Sequence, residues 1–163
     1  MTSGTERVHV IGLIADTHGL VRPDVHTALA GVELILHAGD VGGDEVLDEL
    51  ALIAPIQAVY GNTDAPGDPR LSPSIRHTVG GVRIHVSHGH EIGTPRPEKL
   101  IERYDADVIV YGHTHRPLVA RAGGRLVVNP GAAGPRRFDI TPSVARLTIA
   151  GGRAECELVA LDG

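Results

Sequence analysis

The chain has 163 residues, 42% of them hydrophobic and 21% charged, with a formal net charge of −5. That balance suits one globular domain with a sizeable core, and the acidic charge, with no long basic run, excludes a sequence-independent nucleic-acid track. Aromatic residues make up 2% and Trp is absent, so the core must be aliphatic and a base-stacking platform is lacking.

In chain order, residues 1–7 read as a loose polar tail without the apolar centre of a signal peptide, and residues 8–163 as one domain. No stretch is long and apolar enough to span a membrane, which points to the cytoplasm. Residues 8–15 read as a buried strand that runs into Asp16-Thr17-His18-Gly19. A short helix follows at 23–30, with Pro23 in its first turn and Val25, Ala28 and Leu29 on one face. The strand at 33–38 ends at Gly39-Asp40. The helix at 44–53 carries the stripe Val46, Leu47, Leu50 and Ala51 and is stopped by Pro55. The strand at 56–60 ends at Gly61-Asn62-Thr63-Asp64. This βαβαβ order predicts a parallel sheet with crossover helices.

The pattern then changes. Residues 65–73 carry three prolines and read as loop. Strands at 75–79 and 82–87, joined by Gly80-Gly81, form a hairpin that leads into His88-Gly89-His90. A helix at 97–104 turns Leu100, Ile101 and Tyr104 inward, and the strand at 107–111 ends at Gly112-His113-Thr114-His115. Further Gly-Gly turns lie at 123–124 and 151–152. In the last hairpin Ala145, Leu147 and Ile149 face inward on one strand and Ala154, Cys156 and Leu158 on the other. Cys156 is the single cysteine, a packing residue that excludes an intramolecular disulfide and a thiolate zinc site. The class is α/β (α+β): two mixed sheets face to face, with helices outside.

Five apolar strands therefore end in residues that ligate metals. Asp16, His18, Asp40, Asn62, His88, His113 and His115 supply two carboxylates, one amide and four imidazoles, and seven ligands serve two ions if Asp40 is shared. The mixed oxygen and nitrogen set suits Mn first, and Ni, Co, Zn or Fe, over Ca or Mg. Two divalent transition-metal ions roughly 3.5–4 Å apart can bridge a water, turn it into hydroxide near neutral pH and stabilise an in-line displacement at phosphorus. They would offset four of the five excess negative charges, which favours a small phosphorylated substrate.

In this order, Asp-x-His, Gly-Asp, Gly-Asn-x-Asp, His-Gly-His and Gly-His-Thr-His resemble the calcineurin-like metallophosphoesterases, and most closely their small YfcE-like phosphodiesterase branch. The resemblance covers residues 8 to about 137. It implies a four-layer αββα sandwich with a binuclear metal centre at the strand ends. One metal would take Asp16, His18, Asp40 and His115; the other would take Asp40, Asn62, His88 and His113. Asn129-Pro130-Gly131 resembles a segment that follows the last motif in the branch.

The chain departs from the broad family at Thr63, where many members carry a general-acid His and the branch commonly carries Cys. His90 is therefore the candidate to protonate the leaving group or orient the water, with Asn62 steering a substrate oxygen. Asp64 is expected to support a ligand histidine from behind, the alternative being that it fixes its own loop, and His37 is a candidate to support a ligand in the same way. His9, His26, His77 and His85 read as structural or solvent-facing. Arg136, with Arg137 beside it, is the candidate to reach a substrate phosphate.

The expected function is a metal-dependent phosphoesterase, with a diester preferred to a monoester. The alternatives are a phosphomonoesterase and a metal-binding protein-interaction scaffold of the same fold, as the eukaryotic retromer subunit is. Retention of all seven ligand types argues against the scaffold. Substrate choice would lie in the irregular segments 65–74, 91–97 and 131–141, and an exposed edge strand would allow a homodimer.

Overall fold

Strand alternation sorts the aliphatic side chains into three layers of packing. In the computed structural model, which describes residues 7–137 and 139–161, the first strand β1 (His9–Ile14) sends Ile11 and Leu13 to one face and Ile14 to the other. The tail expected at 1–7 lies almost wholly outside the described residues. After β1 come α1 (Asp24–Ala28), β2 (Leu34–His37), α2 (Asp44–Ala51) and β3 (Ile56–Val59). β1, β2 and β3 pair in parallel, as the alternation of strands and helices predicts.

Within residues 65–73 the structure differs from the sequence reading. Leu71–Ser72 forms a short strand, β4, parallel to β3. The Tyr60 amide donates to the Ser72 carbonyl, and the Leu71 side chain is buried against the helix-side core. Two residues are too few to show a period, so tertiary contact sets this strand.

The chain then crosses to a second sheet through β5 (Ile75–Val79), β6 (Val82–Val86), α3 (Pro97–Arg103), β7 (Val108–Val110), β8 (Leu118–Ala122) and β9 (Arg125–Asn129). It returns to the first sheet with β10 (Ser143–Ala150) and β11 (Arg153–Ala160). The sheet orders are β11-β10-β1-β2-β3-β4 and β5-β6-β7-β9-β8, and both mix parallel and antiparallel pairs. In each of the three hairpin pairs, Gly80-Gly81, Gly123-Gly124 and Gly151-Gly152, both φ angles are positive, from 57° to 79°, as a two-residue type I′ turn requires.

Between the sheets lie Ile11, Leu13, Leu36, Val86, Val108, Val110, Val128 and Leu147. On the outer face of the first sheet, Val25, Leu29, Val46, Leu47 and Leu50 of α1, α2 and the turn after α1 cover Ile14 and Ile35. On the outer face of the second, Leu100 of α3 covers Ile109 and Val127. The result is the four-layer αββα sandwich. The central parallel strands are apolar on both faces, which is why they read as continuous hydrophobic runs and not as alternations. At its edge, β11 keeps Ala154 buried and Cys156 half-buried, but Leu158, expected inward, is exposed, because the strand outruns the cover of the second sheet.

Candidate metal centre

All seven expected ligands lie just past the carboxyl ends of parallel strands: Asp16 and His18 after β1, Asp40 after β2, Asn62 after β3, His88 after β6, and His113 and His115 after β7. Parallel pairing brings these ends to one rim, where the two sheets face each other. Backbone bonds carry the register beyond the strands. Asp16 N–H donates to the Gly39 carbonyl, His18 N–H to Asp40, and Gly112 N–H to His88.

The backbone is strained at five of these seven residues and nowhere else among the described non-glycine residues. Positive φ angles occur at Asp16 (53°), His18 (45°), Asp40 (56°), His113 (71°) and His115 (63°), all of them expected ligands. A left-handed residue with a Cβ costs about 1–3 kcal/mol and persists only where its surroundings impose it. Here the twist aims side chains into a common space.

Ligating atoms of Asp16, His18, Asp40 and His115 all lie within 4.8 Å of one another. A second group adjoins the first. His88 Nε2 is 3.0 Å from Asn62 Oδ1 and 3.2 Å from Asp40 Oδ2, and His113 Nδ1 is 3.2 Å from Asn62 Oδ1. Asp40 Oδ2 also lies 3.7 Å from His18 Nε2, so one oxygen faces both groups. Asp16, Asp40 and His88 are buried at the floor, His18, His113 and His115 are half-buried, and Asn62 is exposed at the rim.

These donors fit cations. His88 Nδ1 is 2.8 Å from the Ala38 carbonyl, which can only accept, so Nδ1 carries the proton. In the neutral ring Nε2 then presents a lone pair to two other acceptors, Asp40 Oδ2 and Asn62 Oδ1, and only a proton or a metal ion can sit among the three. In the first group Asp16 Oδ1 and His18 Nε2 are buried without a hydrogen-bond partner. Orphaned buried acceptors of this kind are costly unless a cation satisfies them.

The electrostatics agree. Burial, with the Asp40 charge adding to it, pushes the Asp16 carboxyl up to about 7 against the pull of His88. Burial also works to raise Asp40, but hydrogen bonds from His88 and Thr63 outweigh it and hold that carboxyl well below the usual range. Burial lowers His18 and His113 and takes His115 down to about 4, which keeps all three in the neutral, ligating form at pH 7. His88 alone moves up, because Asp40 and Asp16 outweigh its burial.

The structure places the other expected residues as follows. Asp64 directs its hydrogen bonds to backbone and reaches His18 only through its charge. Its carboxylate accepts the N–H groups of Gly61, Val41 and Gly42, clamping the loops after β2 and β3 together beside Asp40. His90 lies next to the second group, its ring 5.3 Å from that of His88 and 6.3 Å from that of His113. It opens onto a cleft of about 220 Å³ lined also by Tyr60, Ser74, Glu91 and Tyr104. A larger cavity, of about 440 Å³ between Arg121, Arg153 and Glu155, gathers none of the ligands. Arg136 and Arg137 are both exposed, and it is the charge of Arg137 that bears on Asp16, His18 and His115. Asn129 has a role its motif did not reveal. Its amide donates to the Gly112 carbonyl and the Thr114 hydroxyl, and its Oδ1 accepts from Gly131, so it braces the loop that carries His113 and His115.

His37 braces the other side. Its Nδ1 accepts the Gly39 N–H at 3.0 Å, so Nε2 carries the proton and donates to Thr17 Oγ1 at 2.9 Å, and that hydroxyl donates to the Val41 carbonyl. The ring is fully buried and neutral, and burial pushes its pKa down to about 3. The unfolded chain takes up this proton near 6.5 and the folded chain does not. The contribution to stability is therefore complete above pH 6.5 and is lost as pH falls towards 3, by at most about 1.4 kcal/mol per pH unit. Urea unfolding of metal-free protein between pH 7 and 4.5 is expected to show this slope, and His37→Gln is expected to lack it. Asp16 titrates in both proteins and cancels in the difference. Equal slopes would contradict the assignment.

Comparison with known proteins identifies the family. The calcineurin-like phosphoesterase superfamily domain matches residues 10–152. A protein of Methanothermobacter thermautotrophicus named as a probable metallophosphoesterase is 34% identical over 161 residues, covering 92% of this chain and 91% of its own. Phosphodiesterase YfcE of Escherichia coli is 35% identical over 94 residues, 54% of this chain and 48% of its own. Among solved structures, wild-type Vps29 of Entamoeba histolytica complexed with Zn²⁺ superposes with a TM-score of 0.74 at 25% identity, covering 93% of this chain and 98% of that one. A match over nearly the whole length, on a sandwich whose strand ends gather carboxylates and imidazoles able to hold metal ions at one rim, places this chain in the calcineurin-like phosphoesterase superfamily.

Proposed function

We propose that the protein is a phosphodiesterase that hydrolyses a small phosphodiester at a pair of divalent transition-metal ions, Mn first among them. The observation that carries this reading is the shared oxygen: Asp40 Oδ2 faces His18 in one donor group and His88 in the other. Asp16, His18, Asp40 and His115 would hold one ion, and Asp40, Asn62, His88 and His113 the other. When bound, the pair would supply a water activated near neutral pH and positive charge for the phosphoryl oxygens.

The chain's own residues would do the rest. The Ala38 carbonyl fixes the tautomer of His88 and aims Nε2 at the site. Asn62 turns Oδ1 towards His88 and His113, which leaves its NH₂ group to donate to a substrate oxygen at the exposed rim. Arg137 adds positive charge from the first group's side. One guanidinium beside the ions suits the single charge of a diester. His90, between the second group and the cleft, is placed to protonate the departing ester oxygen.

The test is hydrolysis of bis-p-nitrophenyl phosphate and p-nitrophenyl phosphate by metal-stripped protein, with Mn, Ni, Co, Zn and Mg restored singly. Metal-dependent cleavage that favours the diester supports the reading. Metal binding alone does not separate an enzyme from a scaffold, since a Vps29 is itself described with Zn²⁺. Metal bound without cleavage of either ester would favour the scaffold. For His90→Ala, cleavage of a diester with a poor, alkyl leaving group is expected to fall about 10²–10⁴-fold, and p-nitrophenolate release much less. An unchanged rate on the poor leaving group would remove His90 from the mechanism.

A further inference from the structure

Thr63 occupies the position where the family resemblance leads one to look for a proton donor, yet its hydrogen bonds go elsewhere. Its backbone N–H and its hydroxyl both donate to Asp40 Oδ1, at 2.9 and 2.8 Å. The other carboxylate oxygen, Oδ2, is the one that faces His88 Nε2 at 3.2 Å and His18 Nε2 at 3.7 Å. Two donors from one residue, 23 positions away in sequence, thus saturate one side of this carboxylate.

We propose that Thr63 is a positioning residue of the metal centre: by holding Oδ1 it leaves Oδ2 as the single oxygen that both donor groups share. This rests on the two-ion reading above. A carboxylate without that anchor is free to turn about its Cβ–Cγ bond. It can then offer both oxygens to one ion or a different oxygen to each, and the two groups lose their common atom. The hydroxyl proton is committed to Asp40, so Thr63 is not the source of the proton for the leaving group. That role falls outside this residue altogether.

Valine keeps the shape of threonine and the backbone N–H bond but lacks the hydroxyl; serine keeps both bonds. The experiment titrates metal-stripped wild type, Thr63→Val and Thr63→Ser with Mn²⁺ by calorimetry. Low-temperature electron paramagnetic resonance at two equivalents then reads whether the ions are spin-coupled. Partners that orient metal ligands are worth roughly 10–100-fold in affinity, so Thr63→Val is expected to bind the second ion that much more weakly. It should show isolated Mn²⁺ signals where wild type shows a coupled pair, and Thr63→Ser should stay within a few-fold of wild type. Thr63→Ala serves the same purpose if the valine does not fold. A coupled wild type with Thr63→Val equally tight and equally coupled overturns this inference alone. A wild type that shows no coupled pair overturns the two-ion reading and this inference with it.

Discussion

Asp40→Asn is expected to lower kcat/KM for bis-p-nitrophenyl phosphate by about 10³-fold or more, a loss of roughly 4 kcal/mol of transition-state stabilisation. The reason is specific to this carboxylate. Its Oδ2 faces both donor groups, and its charge is the one that burial fails to neutralise. An asparagine keeps an oxygen for Thr63 but turns an NH₂ group, a donor, towards the lone pairs of His18 and His88. That group fills the space of a cation without supplying its charge. Metal content after dialysis against Mn²⁺ should fall along with the rate. The fold should survive, because the variant removes one of two adjacent buried carboxylates. A variant that keeps two metal equivalents and activity within tenfold of wild type would show that Asp40 is not the shared ligand.

Gly61→Ala should damage both the fold and the site. A Cβ at position 61 would overlap Oδ1 and the backbone nitrogen of Asp40, and neither can retreat. Oδ1 is held by Thr63, and the backbone beside Asp40 is clamped by Asp64, which also takes the Gly61 N–H at 3.0 Å. Overpacking of this kind costs about 1–3 kcal/mol, which urea unfolding of the metal-free protein would read. Because the displaced atoms belong to the shared carboxylate, Mn²⁺ affinity should fall in the same variant. An unfolding midpoint and an affinity both equal to wild type would mean that the loops open more easily than this packing implies.

That the seven candidate side chains meet at one rim was legible in the sequence because each lies where an apolar run stops, and a strand buried on both faces produces such a run. The βαβαβ half and the Gly-Gly hairpins were legible for the same local reason. What was hidden depends on contacts between distant segments. Thr63 reads as a gap in a motif until Asp40 is seen opposite it. His37 and Asn129 stand out in the sequence only by position and by resemblance; their partners, Gly39 and Thr17 for one and Gly112 for the other, come from distant segments or from the turn of the loop. Asp64 lies two residues after Asn62, and of its two readings, support of a histidine or fixing of its own loop, the hydrogen bonds follow the second, because the loop turns its carboxylate onto backbone N–H groups. Arg136 and Arg137 cannot be told apart by composition; the path of the loop after Gly134 decides which guanidinium bears on the ligands. β4 was missed because two residues carry no period.

In the proposed centre, one oxygen of Asp40 is shared by two ions held by these seven residues. Anomalous scattering from crystals of the protein loaded with Mn²⁺ would locate the ions. Two peaks are expected to flank Asp40 Oδ2, one among Asp16, His18 and His115 and the other among Asn62, His88 and His113. A single peak, or two peaks that do not share Asp40, would contradict it.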